Sequence, residues 1–482
     1  MHATCLVLSG GRIVDPANGV DTIGNLVIQE GKVVGLDHGA GAAPGAEVID
    51  VTGKLVIPGV VDTHVHTARP EARGAGYRML VKAGVTTAVD MEGPVDVVIE
   101  EIAAYGSGLN MAVLEGIWPG KGLAGQEGTE EEIRTAIDLA MDHGALGMKV
   151  LGGHYPLSPD TISKIIELTY RERGYVAFHA GSTTAGSDIL GLEQAVRLAA
   201  GFPVHIAHIN AYCRGMVSDP LEELRQAMDL LARSPNVVSE SHLAPFNGTS
   251  GRCENGVPAS HVTRNCLRKR GYPVTQEGIR QAIMDGYASV YVPVGAEVRQ
   301  LWGEQAVLAW ERNNTRAGLS FPVNLRVTAM VCATAKDDGG RFVVDALSSD
   351  GGMIPRNCIL TYGMALVHFG ALTLAELVAK SSSEPARMFG LINKGHLGPG
   401  ADADVAVVDP DTGEAALTMI GGKVCMVSGV LINHPGKILT TERGVNYMRK
   451  RQAPYQQIDL DNSTYFLGKE GAGRQAAQEP SA

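Results

Sequence analysis

The most informative stretch of the chain is KLVIPGVVDTHVH, residues 54–66, in which an apolar run leads directly into two histidines. His64 and His66 are one residue apart, and side chains two positions apart on a strand face the same side. Both imidazoles can therefore reach one metal ion, and imidazole is the commonest metal ligand in proteins. In a chain with 14 histidines such a pair also arises by chance, so the rest of the sequence has to separate a metal clamp from a polar loop.

The middle of the chain alternates short apolar runs with amphipathic segments. After the first run, buried strands are predicted at TTAVDME, MAVLEGI, ALGMKVL, YVAFHAG, VHIAHIN, NVVSESH and FVVDALSSD. Segments such as SPDTISKIIELTYRERG and DPLEELRQAMDLLARS predict helices, because a capping Ser or Asp and early acids precede the apolar period. Strands that are mostly followed by helices indicate a TIM (β/α)8 barrel. A doubly wound sheet is the weaker alternative, since no G-x-G-x-x-G follows a strand.

Both ends of the chain are rich in short strands and turns. Residues 6–52 show this pattern, and it returns in ADADVAVVDPDTG and IGGKVCMVSGVLI. We therefore predict one composite β-sandwich domain built from both termini. The expected division is 1–56 and 391–440 for the β-sandwich, 57–390 for the barrel and 441–482 for a loosely attached C-terminal tail. An insertion at 244–341, between strands seven and eight, is expected to cover the barrel mouth, because loops after barrel strands form the functional face.

Composition limits the partners and the compartment. The chain has 41 basic and 52 acidic residues and a net charge of −11, which argues against a nucleic-acid surface. Its seven cysteines are scattered without a C-x-x-C pair and predict reduced thiols. The N-terminal residues do not resemble a signal peptide, and no run of 18 apolar residues occurs. We predict a soluble cytoplasmic protein with no membrane partner.

Titratable residues recur at the predicted carboxyl ends of the strands. Each has an ordinary interpretation by itself: a lysine whose head reaches solvent, a core histidine, or an aspartate that caps a helix. Strand ends of a barrel converge on one mouth, however, so together these residues predict a site for two divalent ions. The set consists of His64, His66, Lys149, His179, His208 and Asp350. His205, three residues before His208, is expected to face the other side of its strand and to be structural.

With these residues in place, the chain resembles the amidohydrolase superfamily, in the branch of dihydroorotase, hydantoinase (dihydropyrimidinase) and N-acyl-D-amino-acid deacylase. The resemblance rests on VIPGVVDTHVH, GMKV, FHAG, HIAHIN, SSDGG and EPARMFGLINKGHLGPGADADVAVVDP. It implies a TIM barrel with a composite β-sandwich, two divalent ions that are usually zinc, and a small-molecule substrate. We also expect a homo-oligomer, either a dimer or a tetramer.

The resemblance also implies a role for each residue of the set. His64, His66 and Asp350 would hold the more buried ion, and His179 and His208 the more exposed one. Lys149 would bridge the ions as a carbamate formed with carbon dioxide, which turns a costly buried cation into an anion between two cations. A hydroxide bridging the ions would attack the carbonyl of an amide, and Asp350 would move the proton to the leaving nitrogen.

The substrate is less well defined by the sequence. Dihydroorotase-like proteins carry an arginine shortly after the second histidine, and here Arg69 is shifted, which disfavours that activity. SSDGG is closer to the deacylases, which generally lack the bridging lysine. Candidate substrate contacts are Arg69, His154, Tyr155, His242, Arg252 and Asn357. Arg214 and Arg356 are also on predicted loops at the mouth and could either bind a carboxylate or be solvated. The leading hypothesis is hydrolysis of a cyclic amide, a ureide or an N-acyl amino acid; the alternatives are a deaminase of an amino-heterocycle and a non-catalytic scaffold relative.

Overall fold

Eight parallel strands, β1–β8, form a closed barrel in the computed structural model, which describes residues 5–37, 45–68, 72–295, 297–432 and 436–469. β8 consists of two short segments: the first pairs with β7 and the second with β1, so that β8 closes the barrel. The predicted barrel is confirmed. The strands are β1 Val60–His66, β2 Val85–Asp90, β3 Asn110–Pro119, β4 Gly147–Leu151, β5 Tyr175–His179, β6 Val204–Ile206, β7 Val237–His242 and β8 Ala346–Ser348 with Gly351–Gly352.

Helices surround the barrel and begin where the sequence signals predict. Thr129 caps its helix in a reciprocal pair with Glu132, and Ser158 and Asp219 cap two further helices through their side chains. Within the described ranges no helix is both long enough and apolar enough to cross a bilayer. The barrel helices are Ala75–Lys82, Val95–Tyr105, Glu130–Asp142, Pro159–Arg171, Ile189–Ala199, Pro220–Ala232, Arg326–Thr334 and Ile359–His368, and two short helices, Leu374–Val378 and Glu384–Met388, follow them.

The two ends of the chain share one nine-stranded sheet, as the composite β-domain requires. The junction is the antiparallel pairing of Leu55–Pro58 with Val405–Val408, in which Val405 lies opposite Pro58. Alternate side chains of these strands form a common apolar core that includes Leu8, Leu26 and Val407. The remaining strands are Cys5–Asp15, Val20–Gln29, Lys32–Asp37, Glu47–Asp50, Ala415–Ile420, Lys423–Val427 and Val430–Leu431.

The insertion after β7 is a subdomain with its own core, centred on Trp310 and Phe321. We call residues 243–325 the roof. Its helices are His261–Lys269, Gln276–Met284 and Gly303–Arg312, and its strands are Thr249–Ser250, Cys253–Glu254, Val257–Pro258, Ser289–Val294, Glu297–Leu301 and Gly318–Ser320. The roof ends earlier than the expected residue 341, because the helix Arg326–Thr334 buries Cys332 and Ala333 in the core of the barrel.

The roof is attached to the barrel on two sides. At its base Asn324 Nδ2 donates to the carbonyl oxygens of Ala244 and Phe246, at 3.2 and 3.0 Å. These hydrogen bonds connect the last residues of the roof with its first residues. On the far side Val298 packs against Ala75 of the first barrel helix. The roof therefore lies over the carboxyl ends of the barrel strands.

The segment expected to be a tail is largely packed. Lys437–Thr440, placed by the sequence in the β-sandwich, instead pairs in parallel with β3 of the barrel. Beyond it lie the helix Val445–Lys450 and the strand Tyr455–Gln457, which also pairs with Lys437–Thr440. Tyr465 is 2% exposed and its hydroxyl donates to the Pro203 carbonyl. Burial of these apolar side chains on the barrel explains the difference from a loose tail; residues 470–482 lie outside the described residues.

Candidate metal centre

His64 and His66 present their Nε2 atoms to the same carboxylate oxygen at the end of β1. The distances from Nε2 to Asp350 Oδ1 are 3.5 Å for His64 and 3.2 Å for His66. One potential ligand atom from each of the three residues lies within 4.8 Å of the other two. Two imidazole nitrogens and a carboxylate oxygen form a donor set that suits Zn²⁺. His64 and His66 therefore have the geometry of two ligands of one metal ion.

Asp350 and His208 both have left-handed backbone conformations, with φ of 51° and 69°. Residues other than glycine rarely adopt positive φ, and where they do the strain often marks a functional site. Asp350 lies in the break between the two segments of β8, and His208 follows β6 immediately before a short 3-10 turn. The backbone thus leaves regular strand geometry at two of the residues that converge here.

His179 and His208 form a second pair beside the first. His179 Nδ1 lies 2.8 Å from His208 Nε2, and the His208 ring stacks on His64 with centroids 5.1 Å apart. Burial, together with neighbouring positive groups, lowers the pKa of both imidazoles well below the usual value. Neutral imidazoles keep a lone pair, which is the form that binds a metal.

Lys149 lies at the centre of the barrel on β4 and is fully buried. Its Nζ makes no hydrogen bond to any residue in the described ranges, and burial lowers the pKa of this lysine to about 8. An ammonium group without a partner is costly in such a place. This buried amine lines the same cavity as both histidine pairs, which fits a bridging role and does not fit a lysine whose head reaches solvent.

All six predicted residues line one cavity of about 50 Å³, so the predicted convergence on one point is observed. A volume of this size holds one or two water molecules. The roof closes it from above with Asn247, Gly248 and Val262. His205, by contrast, contacts Tyr175 and Phe389 inside the barrel and does not line the cavity, as expected for a structural histidine.

Two acidic residues near the cavity, Glu240 and Glu92, were not among the predicted site residues, and Arg356 contacts a different group from the substrate carboxylate that the sequence suggested for it. Glu240 on β7 places Oε1 2.7 Å from His64 Nδ1, and Glu92 after β2 places Oε2 3.5 Å from His66 Nδ1. Arg356 donates through Nη2 to Asp350 Oδ2 at 2.6 Å and through Nη1 to the Phe246 carbonyl of the roof at 2.9 Å. The available signal for Glu240 was an acidic residue inside the buried run NVVSESH.

Arg356 controls the charge state of Asp350. Burial alone would raise the pKa of this carboxyl, but Arg356 and His64 hold it well below its usual range. The two carboxylate oxygens also have different neighbours: Oδ1 faces the histidine pair and Oδ2 is held by the guanidinium. Asp350 is therefore kept ionised, with one oxygen directed at the candidate metal site.

The expected substrate contacts divide into two groups. His154 lines the cavity, with its ring 5.0 Å from that of His179, and His242 Nε2 lies 4.0 Å from Asp350 Oδ2. Tyr155, next to His154, is 37% exposed and stacks on Trp118. His154 and His242 therefore lie at the candidate site, whereas Tyr155 is only the sequence neighbour of His154 and does not line the cavity.

The other expected contacts lie elsewhere. Arg252 is exposed and pairs with Glu254 on the outside of the roof. Asn357 accepts from the amide of Gly352 and donates to its carbonyl, so it stabilises the end of β8. Arg69 lies outside the described residues. Arg214, a loop residue that lines the cavity, has a more suitable position than these three.

Comparisons with known proteins agree with this architecture. The model of the amidohydrolase family matches residues 207–432. The dihydroorotase of Geobacter metallireducens is 24% identical over 470 residues, which cover 87% of this chain and 99% of that protein. Among solved structures, D-aminoacylase superposes with a TM-score of 0.64 at 18% identity, covering 90% of this chain and 99% of the other. The N-acyl-D-glutamate deacylase of Bordetella bronchiseptica, solved with zinc and a phosphonate inhibitor, has a TM-score of 0.63 at 15% identity, covering 90% and 98%.

Proposed function

We propose that this chain, which contains an amidohydrolase family domain, is a binuclear metal-dependent hydrolase of a non-peptide C–N bond in a small, negatively charged amide. The observation that carries the proposal is the convergence of His64, His66 and Asp350 within 4.8 Å beside the His179–His208 pair. These residues lie at the carboxyl ends of the barrel strands, where TIM-barrel active sites form.

The proposed ligand assignment follows from the donor atoms. His64, His66 and Asp350 would hold one divalent ion, His179 and His208 would hold the other, and zinc would suit both sets. Lys149 would connect the two sets of ligands as a carbamate, formed when its amine adds to carbon dioxide and releases a proton. The fully buried Nζ has no hydrogen-bond partner within the described residues, which supports this assignment, because a carbamate would replace a buried ammonium group by an anion between two cations.

The residues of the chain supply the proton transfers and the positioning. Divalent ions held by these residues would supply a water of lowered pKa and a polarised substrate carbonyl. Asp350, kept ionised by Arg356, accepts the proton of the attacking water and delivers it to the leaving nitrogen as the C–N bond breaks. His154 lines the same cavity and is positioned to contact the carbonyl end of the substrate. The roof keeps the reaction out of bulk water.

The charges around the cavity support an anionic substrate. Arg214 lines the cavity, but its Nε and Nη2 donate to a neutral amide oxygen, Asn324 Oδ1, at 2.9 and 2.6 Å. A guanidinium with a neutral partner beside a closed cavity matches a carboxylate on the ligand, which it can bind in a bidentate manner. We therefore propose an N-acyl amino acid, or a cyclic amide or ureide that carries a carboxylate.

Metal analysis combined with a substrate screen tests this function. Protein purified without chelators should contain about two divalent ions per chain and should hydrolyse N-acyl amino acids or carboxylated cyclic amides. His66→Asn should lower the metal content and the activity together. Full activity at one ion or fewer per chain would contradict the binuclear assignment. Release of ammonia from amino-heterocycles, with every amide left intact, would identify a deaminase instead.

A further inference from the structure

Glu240 is a fully buried carboxylate in the wall of the barrel, and both of its oxygens have defined partners. Oε1 lies 2.7 Å from His64 Nδ1, and Oε2 accepts from the Ser348 hydroxyl. Ser348 is on β8, two residues before Asp350. Glu240 on β7 therefore connects a histidine of β1 with the strand that carries the candidate catalytic aspartate.

The contact with Nδ1 determines which nitrogen of His64 is available. A carboxylate oxygen at 2.7 Å accepts a hydrogen bond from Nδ1–H, so the proton of the neutral ring is on Nδ1 and the lone pair is on Nε2. Nε2 is the atom that lies 3.5 Å from Asp350 Oδ1 and within the cluster of ligand atoms. The opposite tautomer would place a hydrogen where a metal ion has to bind.

A purely structural role does not account for this placement. Burying a carboxylate is costly unless it is paired, and the two partners of Glu240 are His64 of β1 and Ser348 of β8. β7 is already joined to its neighbours by parallel pairing with β6 and β8, so the barrel does not need a charged link there. Glu101 shows the contrast: it is another buried glutamate, but it accepts from the Tyr77 hydroxyl at 2.9 Å and does not line the cavity.

We propose that Glu240 is a positioning residue for the metal centre, which holds His64 in the tautomer and orientation that direct Nε2 at the ion. The proposal rests on the proposed function, since it assigns a role within that metal site. Carboxylates that hydrogen-bond to metal-binding histidines typically contribute about 10- to 100-fold to metal affinity. Glu240 acts through His64 and does not contact the substrate.

Titration of the metal-free protein with Co²⁺ against a chromophoric chelator tests the proposal without an activity assay. Glu240→Ala should bind Co²⁺ about 10- to 100-fold more weakly than the wild type, and Glu240→Gln should fall between them because its amide oxygen still accepts from Nδ1. The visible absorption of bound Co²⁺ should change in both variants. Glu101→Gln is the matched control, a buried glutamate remote from the site, and should bind Co²⁺ like the wild type.

The outcomes separate the positioning role from the proposed function. Wild-type protein that binds Co²⁺, with Glu240→Ala binding within about threefold of it and giving the same spectrum, overturns the positioning role and leaves the function standing. Wild-type protein that takes up no divalent ion overturns both. If Glu240→Ala does not fold, Glu240→Gln decides by the same criterion. Equal weakening in Glu101→Gln would show a general loss of stability and would also overturn the proposal.

Discussion

Replacement of Arg214 by methionine tests the proposed substrate class directly. The guanidinium lines the cavity and donates to Asn324 Oδ1, an acceptor that carries no charge. Methionine keeps much of the apolar stem and removes the charge and the donors. The substitution therefore removes the proposed partner of a substrate carboxylate, while the metal-binding residues are unchanged.

The expected magnitude follows from the hydrogen bonds that would be lost. A hydrogen bond between charged groups contributes about 1.5–3 kcal/mol, and each 1.4 kcal/mol corresponds to a factor of ten. One such bond between Arg214 and the substrate predicts a loss of about 10- to 100-fold in kcat/KM. For a substrate whose carboxylate is replaced by a carboxamide, the same variant should lose less than about threefold, because no charged pair exists to be broken.

The assay compares both substrates with both enzymes, so that the interaction between the guanidinium and the carboxylate is isolated as a double-mutant cycle. Arg252→Met is the matched control, since Arg252 is exposed and pairs with Glu254 on the outer surface of the roof. It should leave both rates unchanged. An equal loss on the acid and on the carboxamide in Arg214→Met would refute the carboxylate subsite, and the arginine would then be a structural partner of Asn324.

Three further outcomes are expected. Lys149→Ala should lose metal and activity, and short carboxylic acids added to the solution should restore part of both. If elemental analysis found an unchanged metal content in the folded variant, the proposed carbamate at Lys149 would be contradicted. Asp350→Asn should keep most of its metal but lose turnover by about 10²-fold or more, because its main role is proton transfer; retained kcat would contradict this. Val262→Ala enlarges the cavity on the roof side and should improve kcat/KM for bulkier substrates by about 10-fold, with metal content unchanged. An unaltered preference between smaller and bulkier substrates would show that the roof does not contact the substrate.

Much of the fold was readable from the sequence because its signals are local. Buried parallel strands are short, nearly continuous apolar runs. The starts of the helices between them are marked in the sequence by capping residues such as Ser158 and Asp219. Once a barrel is assumed, the carboxyl ends of its strands must meet, so Lys149 and His179 are brought together by topology alone. Their roles as ligands stay a prediction, which the metal measurements described above address.

The parts that could not be read depend on contacts between distant segments. Nothing in NVVSESH shows that Glu240 reaches His64, because the two residues are 176 positions apart and meet only across the closed barrel. Residue type and position in the chain predict Arg252 and Asn357 as substrate contacts, but Arg252 faces solvent and Asn357 binds the Gly352 backbone. The packing of Tyr465 was missed for the same reason, since its partner Pro203 lies 262 residues earlier.

Arg356 connects the candidate catalytic carboxylate of the barrel with the base of the roof, and a bound substrate has to fit against both. The same guanidinium pairs with Asp350 Oδ2 and donates to the carbonyl of Phe246, at the base of the roof. A side chain with planar, fixed donors cannot follow a displaced carbonyl without moving relative to its carboxylate. Gly248 adds to this constraint, because a Cβ there would lie 2.4 Å from Ile354 Cδ1 and 3.3 Å from Arg356 Nη2. The roof therefore meets the barrel through contacts that also orient the candidate catalytic carboxylate, so changes at residues 246–248 will affect proton transfer as well as substrate entry.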